Sequence, residues 1–147
     1  VLATILGHSE GSRLFWALVD PGIAEEAVTQ FDGHDGTGTY LTWCCCSPQN
    51  SEQAEEIILE QIGGVVDSVT EDDLVRVRNI VATAATLQGE LPAGRMQRLG
   101  RIMTLLGEYT SLEEELAAIN AVTLDDVRQV ACDFPLTPIV TGRLSGE

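Results

Sequence analysis

A chain of 147 residues, 44% of them apolar, is long enough for one domain with a sizeable core and short for two. Its net charge of −15, with all eight basic residues Arg, sets up a field that repels phosphate backbones and anionic headgroups, so neither nucleic acid nor a membrane surface is expected as a partner. No stretch approaches the roughly 18 uncharged apolar residues that a spanning helix needs.

The chain opens at Val1 in a run that is already apolar, which suggests one domain, residues 1–147, cut from a longer protein. The acid excess reads either as solubility and host adaptation or as an attraction for basic peptides. Leu2, Ile5 and Leu6 have helical spacing. Ser12 then caps a short helix that buries Leu14, Phe15 and Leu18, and Pro21-Gly22 ends it. Ala24 to Phe31 and Thr37 to Cys46, rich in β-branched and aromatic residues, flank the turn Asp32-Gly-His-Asp-Gly36 as a hairpin. From Asn50 or Ser51 a helix with Ala54, Ile57, Ile58 and Ile62 on one face runs to Gly63-Gly64.

Thr70 with Asp73 forms a capping box, with acids at 71 to 73 in the turn where the helix dipole favours them, and the helix continues through Leu74, Val77, Ile80, Val81, Ala84 and Leu87. Gly89 and Pro92 close it. A further helix over Arg95 to Leu106 carries Met96, Leu99, Ile102, Met103 and Leu106; Ser111 with Glu114 and Thr123 with Asp126 cap two more. Pro138 to Leu144 reads as a last short strand. The expected class is α+β: two layers, a small antiparallel-containing sheet made of the hairpin plus the C-terminal strand, covered by about six helices.

Of the four cysteines, Cys44 and Cys46 share one strand face and Cys45 takes the other, so the run cannot close round one tetrahedral metal. They read as small apolar strand residues, and unpaired thiols point to a reducing, cytoplasmic setting. His8 and His34 are far apart and read as loop or turn histidines.

Six motifs in order carry a resemblance: Ser12-Arg13-Leu14-Phe15 followed by Gly22-Ile-Ala24, the hairpin ending in Ser47-Pro48 before an Ala/Glu-rich helix, Thr70-Glu-Asp-Asp-Leu74, Arg95-Met-Gln-Arg-Leu-Gly100, Val122-Thr-Leu-Asp-Asp-Val127 and Ile139-Val-Thr-Gly142. Together they resemble the C-terminal, non-catalytic domain of M16 (pitrilysin-like, mitochondrial-processing-peptidase-like) zinc peptidases, and the likeness spans nearly the whole chain. That family's chemistry needs H-x-x-E-H, which is absent here, so the chain itself is expected to hold no metal and cut nothing. The resemblance implies zinc in the parent, a catalytic M16 half as partner, and a peptide substrate enclosed between them. In active relatives this domain often carries an Arg just after the S-R-L-F segment and a Tyr directly after G-L-A. The matching neighbourhoods here are Val19-Asp20 and Glu25, which cannot donate a side-chain hydrogen bond at neutral pH. A catalytically inactive homologue acting as an assembly or binding subunit is the alternative. Because the family's domain starts with strands that precede Val1, an open sheet edge is expected to drive self-association, by edge pairing or through the apolar face of Val1 to Leu6.

Overall fold

The computed structural model describes all of the chain except Asp35, Pro138 and residues 145–147, and the side chain of Leu106. Its contacts separate into two compact units: Leu2–Val69 with Val127 onward, and Thr70–Asp126 with Val1.

In the first unit, α1 (Leu2–Leu6) buries Leu2, Ile5 and Leu6. Gly7 ends it and lies directly on the hairpin, its carbonyl accepting the Thr29 N–H at 2.9 Å. A Cβ at Gly7 would run into the backbone nitrogen of Thr29, which explains why nothing larger stands there. Ser12, fully buried, donates to the His8 carbonyl at 2.8 Å and accepts the Phe15 N–H at 3.1 Å, so the predicted cap forms. The turn that follows, Phe15–Val19, is π-helical and closes when the Asp20 N–H reaches the Phe15 carbonyl. Gly22, at φ 75°, reverses the chain, and the amides of Ile23 and Ala24 both donate to the Leu18 carbonyl at 2.9 Å.

Strands β1 (Glu26–His34) and β2 (Thr37–Cys45) pair antiparallel in the register Glu26↔Cys45 to His34↔Thr37. β1 therefore runs through three residues assigned to the turn from sequence, one of whose members, Asp35, lies outside the described residues. One hairpin face, Ala27 with Cys44, packs on Leu14, Leu18, Ala24 and Ala54, with Ile57 and Ile58 closing the cluster. After a 3₁₀ turn at Pro48–Asn50, helix α2 (Ser51–Gly63) supplies Ala54, and the Asn50 side-chain amide donates to the Ile23 carbonyl at 2.9 Å. The break at Gly64 leaves a separate short helix α3 (Val65–Ser68) that the sequence reading did not resolve; Val65 and Val69 are buried there.

The second unit is helical. α4 (Glu71–Glu90) starts at the Thr70–Asp73 capping box and buries Leu74, Val77 and Ala85. α5 begins at Pro92, three residues before Arg95, because proline suits the first helical position where no N–H is needed; it runs Pro92–Leu106 and stops at Gly107, φ 72°. α6 (Leu112–Ala121) starts at the Ser111–Glu114 box, and the same reciprocal bonds between Thr123 and Asp126 open α7 (Leu124–Asp133), whose residues from Val127 on belong to the first unit. The Arg78 guanidinium donates through Nε and Nη2 to the Val122 carbonyl, pinning the α6–α7 link to α4.

Two expectations are corrected. Residues 139–144 form no strand, and Pro138 lies outside the described residues; among the described residues the sheet is the hairpin alone, and Arg143 instead bonds Glu55 on α2 at 2.7 Å. The apolar face of Val1 to Leu6 is not available for self-association, because Leu2, Ile5 and Leu6 are spent on the chain's own core.

Candidate functional site

The bend at Gly22 brings the end of the π-helical turn to the base of the hairpin, and there an open cavity of about 430 Å³ is lined by Ser9, Val19, Glu25, Glu26, Ala27 and Cys45. Val19 and Glu25, two of the three substrate-contact positions inferred from resemblance, thus share one cavity; Asp20 is exposed but does not line it. The Glu25 N–H donates to the Cys45 carbonyl at 2.8 Å, which fixes the backbone carrying the carboxylate. Nothing in this lining is cationic. With Glu25 and Glu26 side by side, it offers hydrogen-bond acceptors and negative charge, which disfavour a developing oxyanion beside them.

The motif residues sit behind the cavity and hold it. Leu14 is fully buried in the core, Ser12 caps the turn, and Phe15 meets Trp16 edge-on at 5.1 Å between ring centres. Arg13 donates to the hydroxyl of Ser68 at 2.7 Å and to its carbonyl, clamping α3 to the turn. Ser9, Glu26, Ala27 and Cys45 were not singled out from the sequence as site residues. Only Cys45 had a usable signal, since its parity on the strand sets it opposite Cys44 and Cys46.

That parity has a chemical consequence. Cys44 and Cys46 pack against the core whereas Cys45 is exposed, and burial, aided by Cys46 beside it, pushes the Cys44 thiol up to about 11. His8 sits 3.4 Å from the backbone of Glu10, and exposed His34 lies 3.4 Å from the Asp32 carboxylate. Among the described residues, no three His, Cys, Asp or Glu side chains converge as a metal-binding group.

The outer hairpin face is the second feature of the site. From Thr39 to Cys45 exposure alternates along β2, and the exposed side of the pairs Gln30–Leu41 and Val28–Trp43 carries large apolar residues, with Leu41 58% and Trp43 38% exposed. On the core-facing side the corresponding positions are Thr42 and Cys44.

Comparison with known proteins matches this architecture to a family. The sequence profile of the Peptidase M16 inactive domain matches residues 1–81, and the chain belongs to that family. It is 30% identical over 135 residues to an uncharacterized zinc protease of Streptomyces coelicolor, covering 90% of this chain and 29% of that protein. It is 27% identical over 133 residues to the uncharacterized zinc protease YmxG of Bacillus subtilis, covering 89% of this chain and 32% of that one. The chain thus spans about a third of the length of the curated relatives it matches. Among solved structures, a chain of complex III2 from Candida albicans superposes with a TM-score of 0.79 over 90% of this chain and 34% of its own length, at 18% identity, and so shares the fold. The chain is a non-catalytic M16 domain with the expected α+β fold.

Proposed function

We propose that this domain forms the wall of a substrate chamber in a zinc metalloendopeptidase, with the metal and the hydrolytic chemistry supplied by a catalytic M16 half. The outer hairpin face carries the reading: one side of the sheet is packed and the other presents Val28, Leu41 and Trp43 next to the Val19–Glu25 cavity, a surface suited to an extended peptide. Zinc belongs to the parent in this reading, which the zinc-protease names of the relatives support. The acidic lining favours a peptide with basic residues over an acidic one.

A second reading, an assembly or binding subunit of a catalytically inactive homologue, is favoured by one observation. Glu25 stands where active relatives by resemblance carry a Tyr donor, and at neutral pH its carboxylate accepts hydrogen bonds and donates none. Self-association through the open edge of β2 fits either reading.

The test is metal analysis and peptide cleavage with the chain alone and with its parent's catalytic half. The chain alone is expected to retain no stoichiometric zinc after dialysis and to cut nothing, and its addition is expected to raise cleavage of a basic fluorogenic peptide by the catalytic half. One tightly held zinc per isolated chain with cleavage would overturn the proposal, and an unchanged catalytic half would select the assembly reading.

A further inference from the structure

Among its described side chains helix α5 buries none, although its sequence carries an apolar stripe. Met96, Leu99 and Met103 follow at i, i+3 and i+7 and so lie along one face, with Met96 68% and Met103 51% exposed. Leu87 and Leu91, also exposed, extend the apolar surface over the corner between α4 and α5. That corner is tight: a Cβ on Gly94 would collide with the Gln88 carbonyl, so the two helices turn closely and leave an open groove of about 460 Å³ lined by Glu90, Pro92, Arg95, Met96 and Leu99.

The α5 segment differs in charge from the rest of the chain, although Glu90 at the end of α4 puts one carboxylate in the groove lining beside Arg95. From Leu91 to Gly107 there is no carboxylate, yet this stretch holds Arg95, Arg98 and Arg101, three of the eight basic residues of a molecule with net charge −15. Arg98 is turned inward and neutralised by Glu115 at 2.6 Å. Arg95 donates to the Gly89 carbonyl and shares the groove lining with Glu90, and neither Arg95 nor exposed Arg101 makes an ion pair among the described residues. An apolar stripe with cationic flanks on an otherwise anionic surface selects its partner by sign: an acidic segment is repelled elsewhere and attracted here. The two methionines suit such a site, since their flexible thioethers adapt to a ligand face.

We propose that the α5 face, with the α4–α5 corner, docks an amphipathic helix presented by a separate polypeptide, whose apolar stripe is flanked by carboxylates. The probe is a fluorescein-labelled synthetic helix with Leu at i, i+3, i+4 and i+7 and Glu on both flanks, titrated into the 147-residue chain and followed by anisotropy. A second peptide has Lys in place of Glu. The Glu peptide is expected to bind about tenfold or more tighter than the Lys peptide and to weaken as salt rises. Met96→Asp with Met103→Asp is expected to reduce its affinity about tenfold with unchanged circular dichroism, and Arg101→Glu to lower both affinity and salt dependence. Equal binding of the two peptides, no binding, or indifference to the methionine substitutions would overturn the proposal. A dimer mass in light scattering that the same substitutions abolish would make a second copy the occupant, and would overturn it equally.

Discussion

The hairpin unit and the helical unit are held by different kinds of interaction. In the first, the defining bonds join residues distant in sequence: Ala27 and Ala54 meet Leu14 and Leu18, Gly7 bonds Thr29, and Asn50 reaches Ile23. In the second, much of what fixes each helix lies within a few residues of its start, in the Thr70–Asp73 and Ser111–Glu114 boxes, while α5 and α6 bury no side chain among the described residues. Long-range packing yields a rigid scaffold for a site, and local caps yield helices that keep apolar surface to spare. This difference places the proposed substrate wall on the hairpin and the proposed docking face on α5.

Substitution in the two units measures the contrast directly. Leu18→Ala removes a fully buried side chain from the cluster behind the cavity, and is expected to cost about 2–5 kcal/mol by chemical denaturation. A loss below about 1 kcal/mol would mean that the hairpin unit is not the better-packed one. Thr70→Ala deletes the hydroxyl that accepts the Asp73 N–H at 3.2 Å, and the expected cost is about 1 kcal/mol, read in the same denaturation experiment. A cost equal to that of Leu18→Ala would erase the distinction between packing and capping.

The smallest effect is kinetic and concerns the two faces of β2. Native-state alkylation is expected to reach Cys45 first and Cys44 last among the three consecutive thiols. With its pKa pushed up to about 11, Cys44 at pH 8 is thiolate in only on the order of one molecule in a thousand, and its rate is expected to climb as pH rises toward that value. Mass-spectrometric mapping of the labelled peptides checks the order, and uniform labelling of all three would contradict the register.

The elements that were legible in the sequence are those whose determinants are contiguous. All three capping boxes could be read because Ser or Thr and its acid lie three residues apart, and the hairpin because its turn residues separate two β-prone runs. The boundaries slipped where a neighbour decided: β1 extends to His34 because β2 offers a pairing partner up to Thr37, and α5 starts at Pro92. Residues 139–144 have strand-like composition but no strand beside them, and Arg143 is engaged by Glu55 instead.

By itself the sequence determined the class of the domain, the order and starts of its capped helices, and the absence of H-x-x-E-H, since each depends on residue type at short spacing. It also determined the division of the cysteines between two faces, because strand parity follows from the backbone alone. Only the tertiary structure decided that Val19 and Glu25 share a cavity with Glu26 and Cys45, that Leu2, Ile5 and Leu6 are buried while Met96 and Met103 are not, and that no third strand forms among the described residues. Periodicity names an apolar face, but what covers that face is set by segments far away in the chain, and a strand exists only where another backbone is in place to pair with it.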